Sequence, residues 1–227
     1  MMQEIIEGKW IASFTRALAL NGIKTGCQVA ILAESQSRPV LMKLASLACF
    51  DLGAEYSTII LPTPEQTAIV PVKSTGACNA IMNKKHVIEA LKNVEIIVDV
   101  TVEGLIHAEE WEEIERSGTR LFTICNEHPE ILERTEPKVE LESKVQLGID
   151  MLTSAAEMHV TSESGTDLRI NLTGAPCGGT PGFSTKPGGV AHWPGGLCLA
   201  FPAKDTINGK IVMDVGDVNL TFKQYLR

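Results

Sequence analysis

The sequence lacks several features that would place it in a common class of proteins. It contains no run of 18 apolar residues, so we expect no membrane span. Its first residues, MMQEIIEGKW, carry two glutamates and no basic stretch before an apolar segment, so we expect no signal peptide and a cytoplasmic location. Basic residues number 20 against 28 acidic ones, for a net charge of −8. That balance argues against a general nucleic-acid binder, which needs a clustered basic surface.

Signature motifs of several enzyme classes are also missing. The turn after the first predicted strand reads AESQSRP and has no GxGxxG pattern, which disfavours a dinucleotide site. The sequence has no GxxxxGK[ST], GxSxG or HExxH motif either. These absences disfavour a P-loop enzyme, a hydrolase with a nucleophile elbow and a zinc protease of the HExxH type.

Six cysteines are present, but no two form a CxxC pair. A zinc ribbon or a thioredoxin motif is therefore not expected, and we predict reduced thiols. Only Cys177, within a glycine-rich segment, is retained as a candidate reactive thiol, with a small loop residue as the alternative. No cluster of histidine, cysteine and carboxylate residues has metal-ligand spacing, so we predict that this chain alone binds no catalytic metal tightly.

Helical and strand patterns alternate through the first two thirds of the sequence. The strands are continuous apolar runs, which is typical of parallel strands covered on both faces. This alternation predicts an α/β fold with a Rossmann-like, mainly parallel sheet over residues 1–154. The predicted helices are 4–20, 38–52, 84–92, 109–116 and 137–157, and the predicted strands are 28–33, 56–61, 94–100 and 120–125.

The sequence pattern of the remaining residues, 155–227, predicts a second, β-rich domain. Residues 158–162 and 167–172 predict a hairpin, and further strands are predicted at 197–201 and 210–215. Residues 174–196 include eight glycines and four prolines, a composition that excludes a helix or a central strand. This domain looks incomplete, so we expect a fragment or a chain that self-associates.

Two histidines are the best candidates for chemistry. His107 follows the predicted strand 94–100, and functional groups in α/β folds gather at the carboxyl ends of strands. His192 lies in GGVAHWPGG, where glycines allow a close approach to a ligand and Trp193 and Pro194 order the loop. The topology predicts that both histidines face one cavity, although a surface residue or a solvated loop histidine is the alternative for each. The weaker candidates are His86, His128, His159, Asp214 and Asp217.

Three segments together resemble a known superfamily. They are SxSGTDLRINL at 162–172, AHWPGG at 191–196 followed by LCLAFP, and GKIVMDVGDV at 209–218. This combination is similar to the aminopeptidase T-related superfamily and, within it, to the family of 2,5-dihydroxypyridine 5,6-dioxygenases. Those enzymes are mononuclear iron(II) ring-cleaving enzymes of pyridine catabolism. The stretch IIVDVTVEGLIHAEEW in the first half is also similar.

The resemblance implies an iron(II)-dependent dioxygenase acting on 2,5-dihydroxypyridine or a similar N-heteroaromatic, with dioxygen as the second substrate. It implies that His107 and His192 contact the bound ring and move protons, with Trp193 beside them in the substrate site. It places the iron ligands, two histidines, an aspartate and a serine, C-terminal to Arg227, and none in this chain. A homo-oligomer without nucleic acid or membrane partners is expected. The alternatives are a metallo-aminopeptidase of the same superfamily and a non-enzymatic partner subunit without a metal site.

Overall fold

A computed structural model of the chain describes residues 5–65, 78–106 and 108–213. Their contacts form two units, the first with 5–65, 78–106, 108–142 and 180–196 and the second with 143–179 and 197–213. The helices of the described residues are α1 (Gly8–Leu20), α2 (Pro39–Asp51), α3 (Lys85–Lys92), α4 (Trp111–Arg116), α5 (Pro129–Arg134) and α6 (Leu141–Ser154). Their strands are β1 (Gln28–Glu34), β2 (Glu55–Leu61), β3 (Ile96–Asp99), β4 (Arg120–Ile124), β5 (Glu157–Thr161), β6 (Asp167–Asn171), β7 (Cys177–Thr180), β8 (Val190–Trp193), β9 (Leu197–Ala200) and β10 (Ile207–Lys210).

The first unit is built on a five-stranded parallel sheet in the order β2-β1-β3-β4-β8. Strands β3 and β4 are buried on both faces, as their unbroken apolar runs predict. One face packs on α1 and α2, and the opposite face packs on α3 and α4. The predicted α/β class is confirmed, including its mainly parallel sheet.

The strands β1 to β4 lie close to their predicted positions, whereas helix ends differ. Helix α6 covers 141–154 and not 137–157, because β5 already begins at residue 157. The helix α5 was not predicted. Pro129 occupies its first turn and His128 caps it, with the imidazole Nδ1 accepting from the Glu130 amide at 3.2 Å. No described helix has the length and apolar character needed to span a membrane.

The second unit contains small sheets and one helix. Strands β5 and β6 form the predicted hairpin, and β10 pairs with the other edge of β6, both antiparallel. Strands β7 and β9 form a separate two-stranded sheet. The predicted strand 210–215 differs, since β10 ends at Lys210 and residues 214 and 215 lie outside the described ranges.

The glycine- and proline-rich segment is more ordered than its composition suggests. It contains β7 and β8, and β8 extends the sheet of the first unit by pairing in parallel with β4. As an edge strand, β8 tolerates the flanking glycines and Pro194, in agreement with the prediction that no central strand lies here. The division into domains 1–154 and 155–227 remains a prediction.

A partly buried ion pair joins α1 to residue 136 within the first unit. The Arg16 guanidinium donates to both carboxylate oxygens of Glu136 at 2.6 Å, and the Ser13 hydroxyl donates at 2.7 Å. Burial raises the pKa of the Glu136 carboxyl, but the hydrogen bonds from Arg16 and Ser13 outweigh burial and lower the pKa from its ordinary 4.5.

Replacing Glu136 with glutamine is expected to lower the free energy of unfolding by about 1–2 kcal/mol at pH 7, because charge-assisted hydrogen bonds are lost. A lowered carboxyl pKa contributes stability above the unfolded value of 4.5 and loses it as the pH falls through the lower folded value. The difference between the two proteins should therefore shrink below pH 4.5 in urea titrations. Glu130→Gln is the matched control, because its pair with Arg134 is exposed and should contribute under about 0.5 kcal/mol. Equal losses in the two variants would contradict this prediction.

Candidate functional site

Polar side chains form a row across the carboxyl end of the first sheet. The strand register places Asp99 of β3 beside Thr123 of β4, and Thr123 beside His192 of β8. Residues in register on parallel strands project to the same face, so these three share the face that packs on α3 and α4. The carboxyl edge of an open α/β sheet is where ligands bind. Sequence reasoning found His192 there but missed Asp99 and Thr123.

Asp99 is fully buried and accepts four hydrogen bonds. Its Oδ1 accepts from the Thr101 amide and hydroxyl at 3.0 and 2.6 Å, and its Oδ2 accepts from the Leu105 amide at 2.6 Å and the Thr123 hydroxyl at 3.1 Å. Burial raises the pKa of Asp99, while these hydrogen bonds act in the opposite direction. The carboxylate therefore fixes the turn 101–105, which follows β3 at the edge of the sheet.

Replacing Asp99 with asparagine is expected to destabilise the protein by about 2–3 kcal/mol, because one amide NH₂ would face a donor instead of accepting from it. Hydrogen exchange of the Leu105 amide should also accelerate, since its acceptor is lost. Asp51→Asn, at an exposed carboxylate, should change stability by under about 0.5 kcal/mol. Unfolding in urea and exchange followed by NMR measure both effects, and an unchanged Leu105 exchange rate would refute the role of Asp99.

Glu34, the last residue of β1, and Cys78 form a second buried contact. The Cys78 thiol donates to Glu34 Oε1 at 3.4 Å, and the Val102 amide donates to the same oxygen at 3.3 Å. Burial, and then the nearby Asp99 and Glu34 carboxylates, raise the pKa of Cys78 to about 12. Cys78 is therefore a protonated hydrogen-bond donor at neutral pH and not a nucleophile.

His192 is half-buried and held at both ring nitrogens. Its Nδ1 lies 3.0 Å from the Pro194 carbonyl oxygen, and its Nε2 lies 3.2 Å from the Cys125 Sγ. A carbonyl oxygen can only accept a hydrogen bond, so Nδ1 carries a proton and donates a hydrogen bond to the Pro194 carbonyl oxygen. In neutral His192 the basic nitrogen is therefore Nε2.

The neighbouring residue, Trp193, points to the opposite face, because successive residues of a strand alternate. It is fully buried among α1 and β4, with ring centroids 4.9 Å from Phe14 and 6.1 Å from Phe122. Its indole Nε1 donates to the Leu132 carbonyl at 2.9 Å. The structure thus makes Trp193 the anchor of β8 in the core, and its contact with a substrate stays a prediction.

The other candidates from the sequence lie elsewhere in the described residues or outside them. His107, Asp214 and Asp217 lie outside the described residues. His86 is exposed on α3, and His159 pairs with Asp167 across the hairpin of the second unit. Cys177 is half-buried in β7, where its thiol donates to the Ala175 carbonyl at 3.4 Å. The described residues include no group of three or more histidine, cysteine, aspartate or glutamate side chains that could hold a metal ion.

Comparison with known proteins identifies the family. A family model described as NicX, 2,5-dihydroxypyridine 5,6-dioxygenase, matches residues 9–227. The chain therefore belongs to the 2,5-dihydroxypyridine 5,6-dioxygenase family, and the resemblance to that family seen in its sequence is confirmed.

A curated sequence and a solved structure, both from Pseudomonas putida strain KT2440, are similar to this chain. The curated 2,5-dihydroxypyridine 5,6-dioxygenase is 30% identical over 216 residues, which are 94% of this chain and 61% of the relative. The solved structure of 2,5-dihydroxypyridine dioxygenase matches with a TM-score of 0.83 and 29% identity, covering 99% of this chain and 64% of the other. The chain thus spans a little over three fifths of the length of these relatives.

Proposed function

We propose that this chain belongs to an iron(II)-dependent, ring-cleaving dioxygenase that acts on 2,5-dihydroxypyridine or a similar N-heteroaromatic. The observation that carries this proposal is His192 at the carboxyl edge of the parallel sheet, with Nδ1 bound to a carbonyl and Nε2 left as the basic nitrogen. Family membership supplies the substrate class and dioxygen as the second substrate.

In this proposal His192 is the general base. Its Nε2 accepts the proton of a ring hydroxyl, and the Nδ1–H bond to Pro194 stabilises the imidazolium that results. The same hydrogen bond holds the imidazole ring of His192 in one orientation, so little reorganisation accompanies the proton transfer. His107 is proposed to orient a ring oxygen or to return a proton.

Trp193 supports this arrangement from the other face of β8. Its buried indole and the hydrogen bond to Leu132 prevent the strand end from shifting, which keeps His192 in register with Thr123. The resemblance also implies that Trp193 contacts the substrate, and we keep this contact as part of the proposal.

Iron(II) would supply electron transfer to dioxygen and a template for the two substrates. The described residues do not fit an iron site, because they offer no cluster of three suitable ligands. We therefore assign no step of the reaction to the metal and keep the prediction that its ligands lie C-terminal to Arg227. In this proposal the described residues take part in ring binding and proton transfer.

The proposal is tested on the longest natural product of the gene. Purified protein is loaded with ferrous iron and supplied with 2,5-dihydroxypyridine in air-saturated buffer, while ring absorbance and dissolved oxygen are followed. One oxygen consumed per ring, with one iron per chain, is the expected result. Two divalent ions with peptide hydrolysis would favour the metallo-aminopeptidase, and no bound metal with no turnover would favour the non-enzymatic subunit.

A cytoplasmic homo-oligomer without nucleic-acid or membrane partners completes the proposal. Large apolar side chains of the second unit support association, since Phe201, Ile207 and Met213 are each more than half exposed. Sedimentation that shows a stable monomer at micromolar concentration would refute the oligomer.

A further inference from the structure

Cys125 and His192 form a close thiol–imidazole contact at the edge of the first sheet. Cys125 directly follows β4, and its amide donates to the Trp193 carbonyl at 3.0 Å, which continues the pairing of β4 with β8. The thiol sulfur then lies 3.2 Å from His192 Nε2. Both residues are half-buried, so neither side chain is fully enclosed in the core.

The hydrogen bond at His192 Nδ1 determines that Nε2 is the proton acceptor in the contact with Cys125. Because Nδ1–H donates to the Pro194 carbonyl, the lone pair of neutral His192 lies on Nε2 and points at the sulfur. A thiol beside a base that a third group orients is the arrangement of an activated nucleophile. Cys125, His192 and the Pro194 carbonyl fill these three roles.

We propose that Cys125 is a reactive thiol, activated by His192, and a covalent modification site for soft electrophiles such as α,β-unsaturated carbonyl compounds. This reactivity does not rest on the proposed dioxygenase activity. It also differs from the prediction made from the sequence, in which Cys177 was the candidate thiol.

The reaction is a conjugate addition. The Cys125 proton moves to His192 Nε2, and the sulfur electron pair forms a carbon–sulfur bond to the β-carbon of the electrophile. The π electrons of the carbon–carbon double bond move to the α-carbon, which takes the proton back from Nε2. Atoms and electrons balance without an oxidant or a leaving group.

Two other half-buried cysteines make internal controls. Cys177 donates to the Ala175 carbonyl and Cys198 to the Val145 carbonyl, each at 3.4 Å, whereas Cys125 contacts a base. A neighbouring base can take the thiol proton and so make the nucleophilic thiolate available, whereas a backbone carbonyl cannot take that proton. Cys125 should therefore react at least about threefold faster than either control.

The test labels the folded chain with N-ethylmaleimide at pH 7 and follows each cysteine peptide by mass spectrometry. Cys125 is expected to react first, and Cys125→Ser should remove this fast phase. His192→Gln, which cannot take the proton, should lower the Cys125 rate to that of Cys177 and Cys198. His159→Gln is the matched control, because His159 pairs with Asp167 and should leave the Cys125 rate unchanged.

The fully buried Cys49 and Cys78 report on folding, since they should stay unlabelled in every variant that is folded. The proposal is overturned if Cys125 in the unmodified chain reacts no faster than Cys177 and Cys198. It is also overturned if the fast phase survives in folded His192→Gln. The comparison of Cys125 with Cys177 and Cys198 needs no variant, so it tests the reactivity of Cys125 even if a substitution prevents folding.

Discussion

For the proposed dioxygenase, replacing His192 with glutamine should lower the turnover of 2,5-dihydroxypyridine about 100-fold or more, because a positioned general base contributes about 10²–10⁴ in rate. Glutamine keeps the approximate size of the side chain and can still donate a hydrogen bond, but it cannot accept a proton. The loss should appear in kcat, while KM changes little, since the proton moves in the reaction and not on binding.

Stability should change far less than activity in this variant. His192 is half-buried at a sheet edge, and its side chain contributes two hydrogen bonds, so we expect a loss of about 1–2 kcal/mol in urea unfolding. His159→Gln, with an exposed histidine in the second unit, should leave kcat within about twofold of the parent. A His192→Gln protein with normal kcat would remove His192 from the proton transfer and weaken the proposed function.

Replacing Trp193 with alanine should have the largest effect on stability, a loss of about 3–5 kcal/mol. The indole is fully buried between Phe14 and Phe122, so its removal leaves a cavity in addition to the lost apolar burial. The Leu132 carbonyl would also lose its donor. Urea unfolding followed by circular dichroism measures the change.

Two comparisons separate the contributions of Trp193. Trp193→Phe removes the indole N–H but keeps most of the volume, so a smaller loss of about 1–2 kcal/mol is expected. Phe50→Ala removes an aromatic ring that is 75% exposed and should change stability by under about 0.5 kcal/mol. A loss for Trp193→Ala no larger than that for Phe50→Ala would show that β8 is not anchored as described.

Much of the first sheet was predictable because its signals are local. Continuous apolar runs at 28–33 and 120–125 mark buried strands, and both lie within one residue of β1 and β4. Helix ends were less accurate because propensity changes gradually there, as for α6. The helix α5 was missed although Pro129, in its first turn, is a local signal of a helix start.

The candidate site was predicted in part. His192 stood out because of the glycines around it, but the same glycines led to the prediction of a loop, whereas the residue lies in β8. Asp99 could have been noticed as a charged residue between the apolar residues Val98 and Val100, since a buried charge needs hydrogen-bond partners. Cys125 carried no local signal, because its relation to His192 depends on which strands are neighbours.

The amino-acid sequence by itself determined the α/β class, the strands β1 to β4 and the hairpin of the second unit, since these follow from periodicity over fewer than about 20 residues. Only the tertiary structure decided that β8 lies beside β4, and therefore that Trp193 enters the core while His192 meets Cys125. The two side chains of that pair are 67 residues apart in the chain. Pairing over such a separation is selected by the packing and hydrogen bonding of the whole sheet, which no local pattern encodes.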